Sequence, residues 1–101
     1  MKTYRVVITD YAQEQLDTYI NYIVKKLRNR AAARAVLNDF RKTVKELETA
    51  AAAPADLERF PGYKKITLKH HRYVMIYRIT DEVVSVEYVF HELQDYENRI
   101  S

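Results

Sequence analysis

The sequence predicts an α+β domain: an N-terminal strand, an antiparallel helix hairpin packed on one face of a small, mainly antiparallel sheet, and a short C-terminal helical turn. Three observations predict it. Apolar residues recur every three to four positions from Ala12 to Leu47, the spacing of buried helical stripes. After Gly62 the period becomes two, the spacing of half-buried strands. Pro54, Pro61 and Gly62 stand between the two regimes as breakers. With 101 residues, 48% of them hydrophobic and 12% aromatic, the chain has material for one core and room for one domain, residues 1–101.

Tyr4 to Ile8 alternate and are β-branched, so they read as a strand. Thr9 and Asp10 then offer a helix N-cap, with Gln13 placed to complete a capping box. Ala12, Leu16, Tyr19, Ile20, Ile23 and Leu27 form the buried stripe of a first helix that should fade near Arg28 to Arg30. Ala33, Val36, Leu37, Phe40, Val44 and Leu47 form the stripe of a second, built from strong helix formers. In the next strand Ile66 and Leu68 face the helices while Lys65, Thr67 and Lys69 face away. Tyr73, Met75, Tyr77 and Ile79 continue the inner set, with Arg72, Val74, Ile76 and Arg78 outside. In the last strand Val84, Val86, Tyr88 and Phe90 are expected inward and Ser85, Glu87, Val89 and His91 outward.

Composition excludes several classes. No cysteine is present, which removes disulfides, thiolate metal sites and Cys nucleophiles and fits a reducing cytoplasm. The N-terminal apolar run is too short for a signal sequence, no stretch is long enough to cross a bilayer, and so no membrane partner is expected. His70 and His71 are not expected to form a metal pair, since adjacent residues on an extended chain point apart, and with three histidines in all no zinc or other cofactor is expected.

Seventeen Lys and Arg against 14 Asp and Glu give a net charge of only +3, so distribution matters more than sum. From Phe60 to Thr80 the chain carries Lys64, Lys65, Lys69, Arg72 and Arg78 with His70 and His71 and no acid, a surface suited to phosphates or carboxylates. The opposing reading is a well-solvated pair of strands. If His70-His71 and Asp81-Glu82 form two-residue loops, Lys69 pairs with Arg72 and Arg72 with His91, one row across three strands. In that row Arg72 would hold phosphate oxygens with two donors, and His91, a residue type suited to giving and taking protons, would move one in phosphodiester cleavage. Lys64, Lys65, Lys69 and Arg78 would bind flanking phosphates, and Tyr63 or Tyr96 would stack on an unpaired base. Most of the nine tyrosines, Tyr19, Tyr73 and Tyr77 among them, are core by position. Glu92, Asp95 and Glu97 lie close enough in sequence to orient His91 or to neutralise the basic face. The lone Gly62 leaves no GXXG clamp, and no RNP1-like strand appears, which weighs against an ordinary RNA-binding module.

The strand, hairpin and basic sheet, with HHRYVMIYRI and VEYVFHELQDY at these places, resemble the RelE/ParE superfamily of type II toxins across nearly the whole chain. The resemblance implies a cognate antitoxin as partner. It also implies one of two activities: metal-independent cleavage of messenger RNA on the ribosome through attack of a 2′-hydroxyl, or non-catalytic inhibition of DNA gyrase. Carried onto this chain, it makes Lys65 a basic-strand lysine, Arg72 the phosphate-stabilising arginine, and Tyr96 a C-terminal tyrosine. His91 falls where catalytic groups end the last strand. Thr67 stands where some RelE-like nucleases have a second lysine, and Glu92 replaces a cation near the end. The catalytic set expected is Arg72, His91 and Lys65, and the leading activity is endoribonuclease. The gyrase inhibitor is the alternative.

Overall fold

The computed structural model describes residues 2–92 and 99–100. Elements follow in the order β1 (Arg5–Ile8), α1 (Asp10–Lys25), α2 (Arg30–Ala50), β2 (Lys64–Thr67), β3 (Tyr73–Thr80) and β4 (Val83–His91). The strands form one sheet ordered β1-β4-β3-β2, antiparallel except where β1 lies parallel to β4, with Val6 opposite Val84. The expected α+β architecture is therefore the one observed. The expected C-terminal helical turn, with Asp95, Tyr96 and Glu97, lies outside the described residues.

Thr9 is the N-cap of α1, its hydroxyl accepting from the Ala12 N–H at 3.1 Å. Gln13 makes no capping box. Its amide donates instead to Asp17 at 3.0 Å along the exposed face. The helix ends where Arg28 takes a left-handed φ of 51° and the Asn29 N–H reaches back to the Ile23 carbonyl at 3.1 Å. A side chain there costs about 1–2 kcal/mol that glycine would avoid. Asn29 then caps α2, accepting from the Ala32 N–H at 2.9 Å.

Both helices lie on one side of the sheet, where Ala12, Leu16, Phe40, Leu47, Met75, Tyr77, Val84, Val86 and Val89 form the main core. Burying each such aliphatic or aromatic side chain contributes on the order of 1.5–3 kcal/mol. The other side is covered too. Leu57, Phe60 and Tyr63 from the 51–63 connection, with Ile100, pack over Val74, Ile76, Tyr88 and Phe90 in a second cluster. A sheet apolar on both faces loses much of the alternation that distinguishes inside from outside in the sequence.

Register decides where each side chain emerges. β2 pairs with β3 as expected, Ile66 opposite Met75 and Thr67 opposite Val74, but the ladder stops with the Leu68 N–H on the Tyr73 carbonyl at 2.9 Å. Lys69 and Arg72 thus sit in a wider turn rather than in a strand pair. The Asp81-Glu82 turn is the two-residue one expected, Thr80 opposite Val83, with Asp81 supplying the positive φ of 55°. From there Tyr77 pairs with Val86 but Ile76 pairs with Tyr88, so Glu87 is one extra residue in β4. This β-bulge reverses the facing of everything after it. Val89 enters the main core, and Tyr88 and Phe90 go to the opposite cluster, where their rings stack at 5.5 Å. The expectation that Tyr88 and Phe90 face the helices, and Val89 and His91 the other side, is corrected by this single residue.

Candidate functional site

The bulge takes apart the row on which the catalytic expectation rests. Tyr73 stands opposite His91, their rings in edge contact at 5.3 Å, and Tyr73 in turn meets Tyr19 of α1 at 5.1 Å. The His91 N–H donates to the Tyr19 hydroxyl at 3.2 Å. His91 thus belongs to the helix side of the sheet. Arg72 contributes only its backbone to this pairing, its carbonyl accepting from the Glu92 N–H at 2.7 Å. Arg72 itself precedes β3 and is exposed in the 68–72 turn, so the register sets Tyr73, not Arg72, opposite His91. Burial raises the phenols of Tyr19 and Tyr73 above their ordinary value, as expected of ring contacts in a packed layer.

The remaining cations of the late block differ in exposure. Lys64 is half-buried, donating to the Pro54 carbonyl at 2.6 Å and pairing with Asp56 at 2.9 Å; the bond from Lys64 lowers the Asp56 carboxyl. Arg78 donates from Nε to Glu87 at 2.8 Å, lies over the Tyr63 ring at 5.3 Å, and has its guanidinium pKa raised by that bond to Glu87. Both, expected on RNA, are tied within the chain by these pairs. Lys65 is exposed opposite Ile76, at the edge of a shallow depression with Pro54, Asp56 and Arg59. Lys69 and Arg72 are exposed in the 68–72 turn. Tyr96 lies outside the described residues, and so does any orienting role of Asp95 or Glu97. Among the described residues no three His, Asp or Glu converge as metal ligands.

Two features escaped the sequence reading. Asp39, 4% exposed on α2, accepts from the His70 N–H at 2.8 Å and His71 Nδ1 at 2.7 Å, fastening the 68–72 turn to the helix. Burial alone would raise this carboxyl, but the bonds from His71 and His70 outweigh it and hold it below its ordinary value. Its one sequence signal is an acid falling on the apolar stripe between Val36 and Phe40. The second feature is a run from Thr18 to Asn38 with Lys25, Lys26, Arg28, Arg30 and Arg34 and no acid, as one-signed as the late block. All five cations are exposed at the hairpin turn and the ends of its helices.

The arrangement offers exposed positive charge on the 65–72 segment and at the hairpin turn, and it places Tyr73 rather than Arg72 opposite His91. The family model that matches, over residues 6–96, describes the ParE toxin of the type II toxin-antitoxin system parDE. No curated protein matches. Among solved structures, one from the chromosomal ParDE toxin-antitoxin system of P. aeruginosa is 19% identical, covering 88% of this chain and 96% of that one, with a TM-score of 0.75. The isolated E. coli RelE toxin is 21% identical, with 95% and 92% covered and a TM-score of 0.57. The E. coli DinJ-YafQ toxin-antitoxin complex contains a chain 10% identical, with 98% and 99% covered and a TM-score of 0.58. At these identities the likeness is one of fold.

Proposed function

The chain belongs to the ParE toxin family of type II toxin-antitoxin systems, and from that premise we propose that it acts as a non-catalytic inhibitor of DNA gyrase restrained by a cognate antitoxin. The observation that carries this reading is the Glu87 bulge, which sets Tyr73 rather than Arg72 opposite His91. A proton-transfer group within reach of a phosphate-stabilising guanidinium is the minimum for cleavage by 2′-hydroxyl attack. Occlusion of a partner protein needs neither. Further support comes from Lys64 and Arg78, whose charges are already matched by Asp56 and Glu87. The antitoxin follows from family membership and from the exposed cations, which an acidic, partly disordered segment would cover.

A second reading, the metal-independent endoribonuclease acting on ribosome-bound mRNA, is favoured by one observation: Lys65, Lys69 and Arg72 remain exposed. Two measurements separate the readings. Purified chain is added to a DNA gyrase supercoiling assay, and RNA ends are mapped after induction in cells. Inhibited supercoiling with intact messages is the expected result. Discrete cuts in translated messages with unimpaired supercoiling would replace the inhibitor by the nuclease.

A further inference from the structure

We propose that the turn of the helix hairpin is a second working surface that binds duplex DNA through its phosphate backbone. This goes beyond the inhibitor reading and stands without it. Lys25, Lys26, Arg28, Arg30 and Arg34 fall within ten residues, all are exposed, and among the described residues none of them makes an ion pair. No acid lies between Asp17 and Asp39 to neutralise them. Like charges held this close repel, and a polyanion relieves that repulsion.

Arg28 supplies an independent observation. It occupies the left-handed conformation that ends α1, φ 51°, where glycine or asparagine fits without strain. A cationic side chain retained at a conformational cost points to a use for the charge.

The surroundings select the kind of polyanion. Single-stranded nucleic acid is held by stacking bases on aromatic rings. Tyr22 borders the patch, and no aromatic residue follows it until Phe40. Exposed Ala31 and Ala35 leave the long cationic side chains as the groups that project farthest from α2. Backbone contacts of this kind position a protein on a duplex without reading its sequence.

The test uses the full-length chain and a fluorescein-labelled 20-base-pair duplex of mixed sequence, with anisotropy followed across salt concentrations and gyrase absent. Binding should weaken with salt at a log-log slope of about −4, as expected when four or five phosphates are neutralised. Arg28→Gly should keep or raise the thermal midpoint yet weaken binding severalfold, while Arg28→Lys binds nearly as the parent does. The Lys25→Glu, Arg30→Glu, Arg34→Glu combination should lose binding altogether, and Lys69→Glu with Arg72→Glu should leave it unchanged. The proposal is overturned if the duplex fails to bind at low salt, if Arg28→Gly binds like the parent, or if the 68–72 turn variant is the one that loses binding. It is equally overturned if single-stranded RNA of the same length binds more tightly and that binding is lost in Tyr22→Ala, or if an acidic peptide competes with the duplex only while Leu27 is present.

Discussion

Tyr73 stands opposite His91, their ring centroids 5.3 Å apart and their planes at 84°, and Arg72 lies one residue outside that pair. That residue precedes β3, outside the ladder that sets Tyr73 against His91. The imidazole meets the Tyr73 ring beside Tyr19, and Arg72 lies exposed in the turn with Lys69.

Arg72→Ala should therefore leave growth arrest intact when the chain is induced without an antitoxin. In a nuclease that stabilised its transition state with this guanidinium, removal of the donor would cost on the order of a hundredfold or more in rate. Growth curves of the induced variant, with protein level checked alongside, decide it. Loss of arrest at an undiminished protein level would return Arg72 to the chemistry.

Asp39→Ala should destabilise the fold by about 1–3 kcal/mol, the range for hydrogen bonds to a charged group, here those from the His70 N–H and His71 Nδ1 to the buried carboxylate. Urea unfolding measures it. The acid limb follows from the sign of the shift: a carboxyl held below its ordinary 3.8 contributes stability that is present above that value and lost as pH falls through the lower, folded value. Stability of the parent should thus decline below about pH 4. In Asp39→Asn that decline should be shallower, since an amide does not titrate.

Much of this architecture was legible because most of its rules are local. The stripe Ala33, Val36, Phe40 and Leu47 lies buried as its spacing predicts, and the β2-β3 register follows from counting back from His70-His71. The counting fails at Glu87. Tyr88, Val89 and Phe90 are all apolar, so either facing satisfies a sheet that is covered on both sides. The cover itself, Leu57, Phe60 and Tyr63, comes from a segment that reads as a loop, where no period announces burial. The Asp39 clamp was hidden for a related reason: its partners are some thirty residues away, beyond the reach of any helical or strand period.

Tyr77→Phe should cost about 1–2 kcal/mol. The Tyr77 hydroxyl donates to the Ala51 carbonyl at 2.8 Å in the fully buried layer beneath α2, and phenylalanine would leave that carbonyl without this donor. Burial also pushes the phenol up to about 12 from its ordinary 10.0. A raised value favours the neutral form in the folded state, so its contribution is complete below pH 10 and drains away as pH rises toward 12. Chemical denaturation at pH 8 and pH 11 should show a smaller drop between the two for Tyr77→Phe than for the parent. An equal drop would place the alkaline sensitivity on the other tyrosines.

Deletion of Glu87 should leave the fold standing, because the pairs on either side of it then close into an unbroken ladder. Val86 remains opposite Tyr77 and Tyr88 opposite Ile76, so Val86 and Val89 still face the helices while Tyr88 and Phe90 still face the second cluster. What is lost is the ion pair with Arg78, half exposed and worth less than about 1 kcal/mol, the long 3.4 Å bond from the Thr9 hydroxyl to the Glu87 carbonyl, and the local twist that a bulge imposes. Insertion of one residue between Val89 and Phe90 is the opposing experiment. It either sends Phe90 into the helix layer and His91 out of it, or forces a second bulge. The deletion should shift the urea midpoint slightly and preserve the near-ultraviolet tyrosine signal, whereas the insertion should lower both sharply. If deletion proved as damaging as insertion, Glu87 would be a paired member of the ladder, and the pairing of His91 with Tyr73 rather than Arg72 would need another cause.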